Sequence, residues 1–228
     1  MKISIITLFP QMFAGPFDFS IVKRAQEAGL VEINFVDLRN FGIGQHRIVD
    51  DKAYGGGHGM ILRVDVLEKA VEATKDKRLS KDGEKVVFLG PRGKTFNQNK
   101  AFEFSKLKHL ILICGHYEGI DQRAYEFADE EISVGDFITT GGEIPAMLVT
   151  DAVARLIKGV LPKRVVEEES FSKNSLEHPQ YTRPDTYNNL KVPKILISGY
   201  HQKISNWKQK KSEETTRKLR PDLLKKAS

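Results

Sequence analysis

Three apolar runs, at residues 85–89, 109–114 and 130–134, each end in a glycine-rich stretch, and this pairing limits the chain to few architectures. Each run is short and reads as a buried strand. Glycine weakens a strand but lets backbone approach a ligand with no Cβ in the way. Eleven of the 18 glycines fall in four stretches, 55–59, 90–93, 115–119 and 135–142. In open α/β sheets, ligands sit beyond the carboxyl ends of the strands. Three successive glycine-rich exits therefore predict a pocket lined by backbone.

Strand and helix patterns alternate over the first 160 residues. Strands are predicted at 2–8, 31–36, 85–89, 109–113 and 130–134. Helices are predicted at 20–28, with Ser20 as cap and Gly29 as stop, at 65–75, capped by Asp65, and at 97–106, capped by Asn97. A short helix follows at 121–127 and a long one at 144–158, ending at Gly159. The fold class is therefore α/β, a mostly parallel sheet with helices on both faces. Residues 160–185 break the pattern with Pro162, Pro179, Pro184 and an acidic run at 167–169, and read as a linker that orders on binding. Beyond it, helices are predicted at 200–211 and 213–226, interrupted at Pro221. About forty residues rarely sustain a core alone, so this end should pack on the first domain or on another subunit. The expected organisation is a domain over 1–160, a linker over 161–185 and a small helical domain over 186–228.

Composition narrows the setting. The single cysteine, Cys114, cannot form an internal disulfide, which points to a reducing cytoplasm. The apolar amino terminus is interrupted by Pro10 and lacks a small-residue cleavage site, so it reads as a first strand. No apolar run reaches the ~20 residues that span a bilayer. Charge is uneven: from Lys191 onward, 11 Lys/Arg face 3 Asp/Glu, a net of +8, while the whole chain is +6 and residues 1–190 are −2. A basic end suits phosphate contacts, and equally a solvated helix surface. Tyr200 and Trp207 add faces on which bases stack, although Trp207 also lies at helical spacing from Ile204, as a core residue would.

Several motifs fail on spacing. Gly90–Thr95 ends in Gly-Lys-Thr, but a phosphate-binding P-loop needs a glycine at position 88, where Phe88 stands. That argues against a third reading, an NTPase. The 55–59 stretch lacks dinucleotide-site register, and the six histidines show no zinc-ligand pairing, so no metal site is expected from spacing. Three segments remain: 50–60, 114–123 and 133–145. Each alone has a bland reading, as surface loop, strand-to-helix turn or helix start.

Together they resemble a family. The segments ITLFPQMF at 6–13, HRIVDDKAYGGGHGM at 46–60, GHYEGIDQR at 115–123, SVGDFITTGGEIPAM at 133–147 and HPQYTRP at 178–184 are similar, in the same order, to the bacterial tRNA (guanine-N1)-methyltransferases, the TrmD family of the SPOUT superfamily. The resemblance implies a trefoil-knotted donor-binding region, S-adenosylmethionine as methyl donor, methylation of N1 of the guanine immediately 3′ of a tRNA anticodon, and a homodimer with composite active sites. It also makes Mg2+ an accompanying ion to consider. It implies that Leu89, Gly90, Pro91, Gly115, Tyr117, Glu118, Gly119, Val134, Gly135, Phe137, Thr139, Gly141, Gly142 and Pro145 surround the donor. Glu118 or Asp136 would offset the sulfonium charge. Glu169 stands where the family has an aspartate general base before Ser-Phe, and Arg155 matches an arginine near the target guanine. Asp151 and Arg155 also have the spacing of an ordinary helical ion pair. His46, Asp50, Gly59 and Glu177, with the tail cations Lys203, Lys208, Lys210, Lys211 and Arg217, fall on the RNA side. His58 replaces the family's usual proline. The rival reading from these departures is a non-catalytic RNA-binding module that keeps the fold.

Overall fold

The computed structural model describes residues 1–80 and 82–224. The predicted helix end at 225–226 lies outside the described residues. The chain divides into two compact units, Met1–Leu161 and a second beginning at Pro162.

The first unit is built on five strands: β1 (Lys2–Thr7), β2 (Glu32–Asp37), β5 (Glu84–Thr95), β6 (His109–Cys114) and β7 (Glu130–Ser133). Their order is β2-β1-β6-β5-β7, and every pairing is parallel. A two-residue ladder, β3 (Asp50–Asp51) with β4 (Ile61–Leu62), closes the intervening loop. The helices are α1 (Ser20–Glu27), α2 (Val64–Thr74), α3 (Gln98–Phe104) and α4 (Glu143–Ala154).

Period-2 alternation sends side chains to two cores. Ile3, Ile5, Val87, Leu89, Leu110 and Leu112 pack in one cluster with Val22, Phe104, Val149 and Val153 from α1, α3 and α4. Ile6, Val86, Phe88, Ile111 and Ile113 pack in the other with Val66, Leu67, Ala70 and Val71 from α2. Helices thus cover both faces, as the β–α alternation predicts. β6 is buried along its whole length, and each such Leu or Ile contributes about 1.5–3 kcal/mol of burial. Toward the amino ends of the strands, Ser4 Oγ meets His109 Nε2 at 2.8 Å and His109 Nδ1 meets Glu84 Oε2 at 2.6 Å. This hydroxyl–imidazole–carboxylate chain resembles a hydrolytic triad, but Ser4 and His109 are each 1% exposed, so it ties β1, β6 and β5 together out of reach of substrate.

Several local expectations are corrected. Gly90–Gly93 is not an exit: β5 continues through it, and Leu89 and Lys94 both pair with Ile132 across a register shift. The residues between are thrown out of the ladder as a bulge. Glycine is required there because a Cβ on Gly93 would sit 2.4 Å from the Glu131 carbonyl. Ser20 does not cap α1; it is the first helical residue, at φ +57°, after Phe19. Asp65 lies within the first turn of α2, held by Arg63, and the cap position is Arg63. Residues 122–127 form a 3-10 helix, although Asp121 does cap it by accepting from Arg123 N. α4 ends at Ala154 with Arg155 as its C-cap; Arg155 N still reaches Asp151 O, but Leu156 and Ile157 bond only three residues back, to Val153 and Ala154. Asn97 caps α3 as expected, accepting from Lys100 N at 3.1 Å.

The second unit holds α5 (Lys163–Glu168), a ladder of β8 (Thr186–Tyr187) with β9 (Leu190–Lys191), α6 (His201–Leu219) and α7 (Pro221–Leu224). The predicted irregular stretch 160–185 therefore contains a helix, stabilised in part by the i,i+4 pair Arg164–Glu168. The predicted break near Ser212 is absent. Ser212 stays helical and turns its hydroxyl to Leu176 O at 2.6 Å, while Thr216 Oγ1 accepts from Leu176 N at 2.9 Å. The helix stops only where Pro221 removes a donor.

Candidate active site

Beyond the carboxyl ends of β6 and β7, and beside the β5 bulge, lies a cavity of about 510 Å³. All fourteen residues expected around a methyl donor line it. They come from three segments that are distant in sequence, so the tertiary fold brings them together.

The walls are set by backbone. Gly142 N donates to Gly115 O at 2.8 Å, and a Cβ on Gly142 would lie 2.6 Å from Cys114 Cα. No side chain fits between these segments. Gly135, at φ +151°, leaves room for the Phe137 ring, which a Cβ would approach to 2.4 Å. Thr139 Oγ1 donates to Gly141 O at 2.8 Å, and Ser133 Oγ to Gly135 O at 3.0 Å, which fixes the turn between β7 and α4. Pro145 lies in the first turn of α4, where its missing N–H costs nothing.

The loop 46–60 joins this site. Glu118 N donates to Met60 O at 3.1 Å, Leu62 N to Gly119 O at 3.0 Å, and Asp121 N to Leu62 O at 3.1 Å. Gly59 sits against the Glu118 side chain, which a Cβ would approach to 2.5 Å. Asp50 is half-buried in β3, and His46 and His58 are exposed. Arg155 is half-buried just after α4.

The remaining expected residues belong to the second unit. Glu169 is half-buried at the end of α5, and its carbonyl accepts from Ser172 N. Glu177 is half-buried; its amide donates to Ser170 Oγ at 3.0 Å and its carboxylate accepts from Gln180 Nε2 at 3.0 Å. Lys203, Lys208, Lys210 and Arg217 are exposed along α6, and Lys211 is half-buried beside Glu214. Trp207 is half-buried, with the His178 and Tyr181 rings 6.4 Å away.

The cavity also has walls that were not among the expected donor residues, among them His116, Ile120 and Ile138 inside the quoted motifs, and Arg92, Tyr125 and Glu131 outside them. Arg92 carried a signal, since it lies between Gly90 and Gly93, in one of the glycine-rich stretches. Glu131 was also an unexplained acid on a buried strand. The Tyr125 hydroxyl is pushed up from its ordinary pKa by burial, against the opposing pull of Arg92. His116 packs its ring on Phe9 and Tyr117, and its Nδ1 is buried with no hydrogen-bond partner among the described residues. Behind the pocket, the Glu143 carboxylate is 1% exposed and accepts from Thr7 Oγ1 at 2.8 Å. Burial, with Glu143 adding to it, pushes the Cys114 thiol far up, so Cys114 is an inert part of the core behind the pocket. Gly90–Thr95 lies in a strand, and α3 begins only at Gln98, so no phosphate loop opens a helix here.

A parallel α/β sheet with a glycine-walled cavity beyond its strand ends defines a ligand-binding α/β protein, and comparison with known proteins gives its family. The family model described as tRNA (Guanine-1)-methyltransferase TrmD matches residues 1–226, and the chain belongs to that family. A tRNA (guanine-N(1)-)-methyltransferase of Carboxydothermus hydrogenoformans is 52% identical over 227 residues, covering 99% of this chain and 88% of that protein. The protein of the same name from Clostridium beijerinckii is also 52% identical, over 99% of this chain and 93% of its own length. That from Syntrophomonas wolfei is 49% identical, over 98% and 90%. Among the described residues no helix is long and apolar enough to cross a membrane.

Proposed function

We propose that the protein transfers a methyl group from S-adenosylmethionine to N1 of the guanine immediately 3′ of a tRNA anticodon. The observation that carries this reading is the convergence of all fourteen expected donor residues on one cavity in a chain of this family. The residues fit the donor. A volume of about 510 Å³ is in the range of small-molecule sites, and main-chain groups freed of Cβ atoms stand ready for the polar edges of a nucleoside. Leu89, Pro91, Val134 and Pro145 supply apolar surface for a base. Glu118 faces the same space and would offset a positive sulfonium; Asp136 is exposed and absent from the wall.

Bound there, S-adenosylmethionine supplies an electrophilic methyl group on sulfur. The protein must then make guanine N1 a nucleophile by removing its proton. We assign that step to Glu169, with Arg155 stabilising the charge that builds on O6. The proton passes from N1 to the carboxylate, and the N1 lone pair takes the methyl as the carbon–sulfur bond breaks. Glutamate adds one methylene to the family's aspartate and keeps its charge. Glu177 is the next carboxylate in line. The target base must leave its stack to reach the cavity.

Exposed lysines on α6 would grip phosphates without reading sequence. His46, Asp50 and Gly59 would face the RNA beside the donor. A homodimer with composite sites is supported by the apolar side chains bared on and before α4: Ile138 is 82% exposed, Ile144 55% and Leu148 48%. A trefoil knot in the donor-binding region rests on the family alone. No group of three or more His, Cys, Asp or Glu among the described residues is arranged to hold a metal, so a Mg2+ ion would have to share substrate phosphates and water. A tRNA substrate puts the site of action in the cytoplasm.

Transfer of labelled methyl from S-adenosylmethionine to tRNA tests the reading. Incorporation should require the guanine 3′ of the anticodon and vanish when adenosine replaces it. A non-catalytic RNA binder would show no incorporation and need not bind the donor in calorimetry.

A further inference from the structure

The formal charges on the cavity wall match one end of a ligand. Among its described lining residues the carboxylates are Glu118 and Glu131, and Arg92 is the one guanidinium. Arg92 Nε and Glu131 Oε2 stand 3.6 Å apart, an ion pair too long to be a hydrogen bond. The Glu131 side chain is 11% exposed and that of Arg92 57%.

Both groups are fixed in place. The Arg92 guanidinium carbon lies 4.4 Å from the centroid of the Tyr125 ring, and its Nη1 donates to Gln122 Oε1 at 3.0 Å. The Glu131 carboxylate lies against Gly90, where a Cβ would overlap its Oε1 and push the side chain aside. The bulge in β5 carries Arg92 out of the ladder and over β7, where Glu131 stands. The pairing is therefore built by backbone geometry.

A guanidinium beside a carboxylate is the complement of a zwitterionic α-amino acid. The ligand carboxylate takes two parallel N–H bonds from arginine, and the ligand ammonium donates to the glutamate. S-adenosylmethionine carries such a group next to its sulfonium. Its two cationic centres and one anion then meet two carboxylates and one guanidinium.

We propose that Arg92 and Glu131 form the subsite for the α-amino acid end of the methyl donor. This rests on the proposed function and adds the residues that read the non-nucleoside end. Calorimetry on the full chain with two ligands tests it: S-adenosylhomocysteine, and 5′-methylthioadenosine, which keeps the nucleoside and sulfur but lacks the amino acid. Arg92→Gln and Glu131→Gln should each weaken S-adenosylhomocysteine binding by about tenfold or more and change methylthioadenosine binding less than about twofold. Arg92→Lys should recover part of the loss. Equal weakening of both ligands, or no change in either, overturns the subsite. Should Arg92→Gln fail to fold, Glu131→Gln and Arg92→Lys give the same ligand contrast. A wild-type chain that binds both ligands equally sinks the subsite alone, whereas one that binds neither sinks the methyl-donor reading with it.

Discussion

The two units are held together by different means. In the first, three layers bury the sheet on both faces, and its strands carry side chains with no exposure at all, Ile3, Phe88 and Leu112 among them. In the second, Leu223 and Thr216 are the only described residues that are buried. Its order comes instead from polar ties such as Ser212 to Leu176, while the Tyr187 and Tyr200 rings stay 66% and 64% exposed. A unit with a deep core can hold a cavity in shape before any ligand arrives. A unit without one depends on what it binds, and its exposed cations and rings suit a large polyanion. The difference accords with the function proposed above, in which the first unit holds the donor and the second supplies the general base and the lysines that grip phosphates.

That division can be broken experimentally. Glu169→Gln should cost the most: turnover falls by about 10²–10⁴-fold while calorimetric donor affinity stays as in the wild type. A variant with undiminished turnover would move the base back out of the second unit. Gly142→Ala is the reciprocal test. Its Cβ would collide with Cys114 Cα at 2.6 Å, where neither backbone can yield, so donor affinity should fall by about a hundredfold with tRNA binding largely kept. Retained donor affinity would show that the cavity is less rigid than its glycines suggest.

A smaller effect is expected from replacing Lys203, Lys208 and Lys210 together with glutamine. Affinity for tRNA should drop for every sequence alike, and the slope of log K against log salt should become shallower by about two units. A change confined to one tRNA sequence would argue for base reading instead. The smallest effect concerns the core itself. Burial holds the His109 pKa below its ordinary value, with Glu84 opposing, so the native imidazole resists protonation. The unfolded chain takes up that proton near pH ~6.5, so stability present above that pH is lost as the pH falls through it. Thermal melts between about pH 7.5 and 5.5 should show this decline, and His109→Gln should flatten the slope from a lower starting stability. An unchanged slope would assign the acid sensitivity to other groups.

Much of the first unit was readable from residue patterns. Short apolar runs gave its strands, and the glycines after β6 and β7 marked where a ligand would sit. The β5 bulge was not readable, because Gly90, Pro91 and Gly93 are residues that normally end a strand, and only pairing with β7 on both sides of them keeps it going. The long-range backbone bonds that dock the 46–60 loop on Glu118 and Gly119 leave no local periodicity either. Nor does the positive φ of +59° at Tyr117, a conformation that tyrosine rarely adopts. In the second unit, pattern reading found the helical tail and its interruption at Pro221 but missed α5 and the continuity of α6, for the opposite reason. With few apolar anchors, α5 and the unbroken α6 rest on charge pairs and side-chain-to-backbone bonds, which any polar stretch could offer.

The seat of Gly142 against Cys114 has a consequence for resistance to inhibitors. Point mutation usually excludes a competitive drug by reshaping a side chain that the drug touches. Here part of the lining, Gly115, Gly141 and Gly142 among it, has no side chain to reshape, and adding even a methyl at Gly142 should injure the proposed donor site itself. Compounds that press against the bare main chain should therefore leave the organism fewer routes of escape than compounds that reach toward the rim.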